Sequence, residues 1–215
     1  MEHEKVQEAF DYCLKITGFP ATRKVQLSLD NLRHERECSG FSRDCIKTAG
    51  HVQIALDATL AASAGERRVF EVLLHELGHA ALQYADVPDS GHTAYFLALT
   101  CLFYRRFDAR KHGTKVPLLE YIDLYDQREE SILTPGQALD FALAWAKAHE
   151  STQIGAVEAA EQAHADYIVF CDKLRKDEAD TARRIVQHRV AVFFSCLAST
   201  VAVVSGSALA GLLLH

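Results

Sequence analysis

Apolar residues recur at helical spacing through ERRVFEVLLHELGHAALQY, from Glu66 to Tyr84, and this pattern predicts one long helix. Val72, Leu73, Leu74, Leu77, Ala80 and Ala81 make it apolar on most sides, so the rest of the chain has to cover it. A covered helix carries few polar side chains without partners. This one carries three close together, His75, Glu76 and His79. The fold must therefore build a core around the helix and keep a polar cleft open along one stripe of it.

His75 and His79 are four positions apart, which puts them about 40° apart around a helix of about 3.6 residues per turn. Two imidazoles on one face, one turn apart, suit a single metal ion, and Zn²⁺ is the usual one. Glu76 leans to the same side and reaches a water at the metal rather than the metal itself, which suits a general base. With 11 His and 15 Glu in 215 residues, composition alone supplies only about 0.04 such motifs per chain. A catalytic zinc needs a third protein ligand and an open position. His92 is the best candidate, because the turn-rich DVPDSG segment after the helix can bring the chain back. Position 85 is Ala85, which excludes the extended metzincin pattern. Glu120, Asp86 and Asp89 are alternative oxygen ligands. Tyr84 and Tyr95 are weaker candidates, as donors to a developing oxyanion, since such tyrosines more often pack in a core.

Around the helix the pattern is mixed. Residues 3–17 read as a helix ended by Gly18 and Pro20. Lys24 to Leu29 and His51 to Asp57 alternate polar and apolar residues and read as strands. Residues 31–49 read as a loop or irregular excursion, and 93–107 as a further helix. Residues 108–133 carry no clear pattern. Thr134 and Pro135 open a helix as N-cap and first residue, running to about His149. Residues 154–187 are helical and highly charged, as in a stalk. The expected class is α+β, a small sheet packed on the His-Glu-His helix and followed by helices. The expected boundaries are 1–108 for the site domain, 109–188 for a mainly helical extension and 189–215 for a C-terminal segment.

That last segment has no charge from Val190 to Leu214. As a helix it spans roughly 37 Å, against a hydrocarbon core of about 30 Å. It reads as a single-pass membrane anchor, and Arg183, Arg184 and Arg189 before it put the catalytic domain on the cytoplasmic side. Ala198, Ala202, Gly206 and Ala210 form a small-residue stripe suited to a homodimer between membrane helices. The N-terminus shows no signal-peptide pattern. The six Cys contain no CxxC pair and read as reduced thiols, Cys38 and Cys45 among them. A net charge of −6 disfavours nucleic acid as the main partner. Arg105, Arg106, Arg110, Lys111 and His112 form a basic run, read as a solvated helix end rather than a lipid or nucleic-acid patch.

Taken in order, the strand HVQIALDATL, the helix HELGHA and the segment GHTAYF resemble the SprT-like zincin metallopeptidase family. Ile54, Leu56, Asp57 and Leu60 match the strand end, His75, Glu76 and His79 the helix, and Gly91, His92 and Phe96 the third element. The likeness covers roughly residues 3–108. It implies a zincin-like domain in which His75, His79 and His92 hold Zn²⁺ and Glu76 activates water against a peptide bond. Some members act on proteins crosslinked to DNA. This chain departs from them in lacking a zinc ribbon, in its acidic charge and in its apparent anchor, which together point to a protein or peptide substrate at or near the membrane. Strand 51–57 is the expected partner for an extended substrate. The rival readings are a non-catalytic metal-binding docking or regulatory module, and an ImmA/IrrE-like regulatory peptidase.

Overall fold

A computed structural model of the chain describes residues 3–32, 39–63, 65–88, 91–111 and 133–212, with the side chains of 3, 61, 109–111 and 194–212 outside the description. Residues 1–169 make one compact unit and residues 170–215 a second. In order, the elements are α1 (His3–Thr17), β1 (Lys24–Asp30), β2 (Gly40–Cys45), α2 (Ile46–Ala49), β3 (His51–Asp57), α3 (Ala58–Ser63), α4 (Glu66–Tyr84), α5 (Ala94–Lys111), α6 (Pro135–His149) and α7 (Ala156–Leu212). The class is α+β, with a three-stranded sheet and mostly helices.

The sheet has the order β1-β3-β2. β1 runs parallel to β3, with Lys24 opposite His51 and Asp30 opposite Asp57. β2 runs antiparallel on the other side, with Gly40 opposite Leu56 and Cys45 opposite His51. β3 is thus the central strand, and Val52, Ile54 and Leu56 on it are fully buried. This corrects the expectation that 51–57 pairs with substrate, because both of its ladders are already taken. It also corrects the reading of 31–49 as a loop, since that stretch supplies β2 and the short α2. Asp57 ends β3 and starts α3: its carboxylate accepts from the Leu60 amide at 2.8 Å and from the Thr59 hydroxyl, an N-cap by side chain.

Helix α4 lies on β2 and β3, and α1 packs on α4 and α5. Leu73, Leu74 and Leu77 of α4 are fully buried, with Phe10 of α1 and Phe96, Leu97 and Phe103 of α5. At one end of the core, Tyr12, Phe70 and Phe107 meet ring to ring, with centroids 5.9, 6.3 and 4.8 Å apart. The end of α4 is tied to the sheet. The Gln83 amide donates to the Ser42 hydroxyl of β2 at 3.1 Å, and the Tyr84 hydroxyl donates to the Lys24 carbonyl of β1. Helix α6 packs along α5 and starts as its sequence predicts. The Gln137 amide N–H donates to Thr134 Oγ1 at 3.3 Å, the Thr134 N–H donates to Gln137 Oε1 at 2.9 Å, and Pro135 follows the cap.

The expected membrane anchor over 190–214, with the membrane localisation and cytoplasmic placement that rested on it, is corrected here. Among the described residues no helix is long and apolar enough to cross a membrane. The stretch of α7 before that segment carries charge at nearly every turn (Lys173, Lys176, Asp180, Arg184), so it does not itself make a membrane span. The side chains of Ala198, Ala202, Gly206 and Ala210 lie outside the described residues.

Candidate metal centre

The site is built from the end of α4, the turn after it and the start of α5. His75 and His79 project from one face of α4, with ring centroids 5.1 Å apart. The helix then stops sharply. Asp86 takes φ 54°, its amide reaches the Gln83 carbonyl at 3.3 Å and the Val87 amide reaches the Leu82 carbonyl at 3.1 Å. This is a Schellman ending with Asp in place of the usual Gly, a role that accounts for Asp86 without a metal. Gly91 has φ 114°, a conformation that a side chain would strain. Thr93 caps α5, accepting the Phe96 N–H on its hydroxyl at 3.3 Å. Between that glycine and that cap stands His92.

The turn carries His92 back onto α4. Its Nε2 lies 3.1 Å from His75 Nε2, and its ring centroid lies 5.5 Å from that of His79. One nitrogen from each of the three rings falls within 4.8 Å of the others, and no other such group of His, Cys, Asp or Glu occurs among the described residues. Ligands about 2.0–2.1 Å from a tetrahedral zinc stand about 3.4 Å from one another, so the trio, within 4.8 Å, is close to the spacing that a metal ion would need. Burial, helped by the neighbouring His79, His92 and Arg68, holds His75 well below the usual histidine pKa. A histidine kept neutral is in the form that binds metal.

Glu76 is 5 % exposed and lies where β2 begins. A Cβ built on Gly40 would stand 3.2 Å from Glu76 Oε1 and 2.6 Å from Val72 Cγ1. The contact with Val72 is the one that a side chain at position 40 could not keep, so glycine lets the strand close on α4 beside the carboxylate. Gly78, inside the motif, does the same on the other flank: a Cβ there would stand 2.8 Å from Thr100 Cγ2 and 3.0 Å from Phe96 Cε2. Phe96 stacks on His79, with centroids 4.1 Å apart and planes at 22°. The contributions of Gly40, Gly78 and Phe96 to the site were not readable from spacing, although Phe96 stood in the quoted motif.

Both candidate tyrosines have their hydroxyls on main-chain carbonyls. Tyr84 donates to Lys24 at the sheet end of α4, and Tyr95 donates to Pro88 at 2.6 Å, bracing the turn that carries His92. Glu120, Asp89 and Cys38 lie outside the described residues, and Cys45 is a free, half-buried thiol. The basic run is not a free patch where it is described. Arg106 is buried and donates to the carbonyls of Thr17, Thr152 and Ile154 at 3.1, 3.2 and 3.0 Å. Arg105 pairs with Glu150 at 2.6 Å.

Comparison with known protein families, with characterised proteins and with solved structures gives no match to this chain.

Proposed function

We propose that this chain is a zinc-dependent metallopeptidase of the HExxH type, with His75, His79 and His92 holding the ion and Glu76 as the general base. The convergence of three imidazole nitrogens, two from α4 and one from the turn before α5, to within 4.8 Å of one another carries this reading. Zinc bound there supplies Lewis acidity, which acidifies water and polarises a peptide carbonyl. Glu76, buried next to His75, accepts a proton from the attacking water and delivers it to the departing amine. A purely structural metal site has no use for a carboxylate held in that position, which favours a peptidase over a docking module. Among the described residues β2 is the outer strand of the sheet on the side of Glu76, so its edge, rather than that of β3, offers backbone groups to an extended peptide. The SprT-like zincin resemblance is part of this proposal, resting on the motif residues and on the sheet-then-helix order around them.

Zinc content of the full chain, measured beside His92→Ala, tests the ion. Near one zinc per chain is expected for the wild type, with the metal lost or much weakened in the variant. Cleavage of an unfolded protein substrate by the zinc-loaded chain, absent in Glu76→Gln, tests the reaction. A wild type that takes up no zinc when folded and supplied with it ends the proposal.

A further inference from the structure

Phe96 is fully buried as the third residue of α5, four residues after His92. Its ring lies face to face on His79, edge-on to His75 at 5.0 Å and 76°, and tilted on His92 at 5.2 Å and 43°. A single phenyl ring therefore touches all three imidazoles. Its seat exists because Gly78 has no side chain, and a Cβ there would press on Phe96 Cε2 at 3.0 Å.

The outer torsion of a histidine is broad and roughly two-fold, so a free imidazole samples many orientations. Fixing three such rings at the moment of binding costs ordering entropy, and orientation set during folding removes that cost. In metal sites the groups behind the ligands commonly set ring direction through hydrogen bonds to the second imidazole nitrogen. Here the shared contact is an aromatic face and edge, which restrains the planes of the rings.

We infer that Phe96 is the positioning residue of this centre: it holds the imidazoles of His75, His79 and His92 in a ligand-ready arrangement before the metal arrives, and Gly78 makes the space for it. The inference rests on reading the three histidines as a metal site, and it adds what orders them.

The test uses the full chain as wild type, Phe96→Leu, Gly78→Ala and Phe103→Leu. Phe103 is fully buried on the same helix and touches none of the three histidines in a ring contact, so its variant reports general loss of core packing. Zinc affinity is read by chelator competition, the visible spectrum with Co²⁺ in place of zinc, and the melting midpoint of the metal-free chain. Phe96→Leu is expected to weaken zinc about 10–100-fold and to change the Co²⁺ bands. Gly78→Ala, which pushes the ring off its seat by a second route, changes both in the same direction. Phe103→Leu lowers the melting midpoint while keeping wild-type affinity and spectrum. If Phe96→Leu and Gly78→Ala bind as tightly as the wild type, or all three variants lose affinity in step with their melting midpoints, the positioning role is overturned and the metal site stands. A folded wild type that binds neither zinc nor Co²⁺ removes the metal site itself, and the inference with it.

Discussion

Polar chemistry lies at both ends of helix α5, and the two ends are finished differently. Near its C-terminal end the Arg106 guanidinium, 8 % exposed, is matched to three fixed carbonyl acceptors that hold the end of α1 against the segment entering α7. At its N-terminal end the polar groups face each other. His75 and His92 present Nε2 atoms to one another at 3.1 Å, and two such nitrogens need a shared proton or a cation between their lone pairs. A buried donor met by acceptors of the chain itself serves the fold. Basic groups turned toward one another are the arrangement on which the proposed metal site rests.

This contrast can be broken at either end. The largest expected effect is at the histidine end: Glu76→Gln should keep zinc stoichiometry and lower peptide cleavage by about 10²–10⁴-fold, measured as initial rates on the zinc-loaded chain. Activity close to wild type in that variant would separate the cluster from catalysis. At the other end, Arg106→Met leaves three carbonyls without their donor, and stability should fall by about 3 kcal/mol in urea unfolding with zinc affinity unchanged. An unmoved midpoint would mean that the guanidinium does not close the fold. A smaller effect follows from protonation. Burial lowers the His75 pKa in the folded state, so the unfolded chain binds the extra proton as pH falls through 6.5. The metal-free protein should keep its full stability above 6.5 and lose some below it, a loss that His75→Asn should reduce. Burial acts on His164 in the same sense and leaves a residual slope. The mildest test lies between the two ends. Cys101 of α5 is buried with its thiol pushed up to about 12, so a maleimide should label half-buried Cys45 in the native chain and spare Cys101 until denaturant is added.

Periodic segments were legible because their burial follows their own sequence. α1, α4, β1 and β3 lie where apolar spacing puts them, and the start of α6 follows from Thr134 and Pro135 with no tertiary information. β2 was not legible. GFSRDC has one large apolar side chain, Phe41, and is a strand because β3 offers it a ladder and Gly40 lets it close on α4. The histidine pair was legible from spacing on a helix, and His92 from the turn before it. Phe96 and Gly78 were not, since their contribution is a face-to-face contact between two helices that no linear pattern records. The basic run misled for a related reason: neighbouring Arg105 and Arg106 look alike in sequence, but Arg106 points inward to carbonyls brought from remote parts of the chain. The uncharged run at the C-terminal side was read by length and charge alone, and the described part of α7 does not supply a membrane-crossing helix.

The parallel pairing of β1 with β3 also has a kinetic side. β2 meets β3 across a short connection, with Cys45 opposite His51, whereas β1 meets β3 with Lys24 opposite His51, a loop 27 positions long. Closing the longer loop costs more entropy before any ladder bond repays it. The β2–β3 ribbon therefore assembles first and β1 docks onto it later, so amide exchange during refolding should protect β3 on its β2 side before the amides of β1. The rim beside Glu76 is then among the early parts of the molecule to form, and the opposite edge of the sheet is completed last.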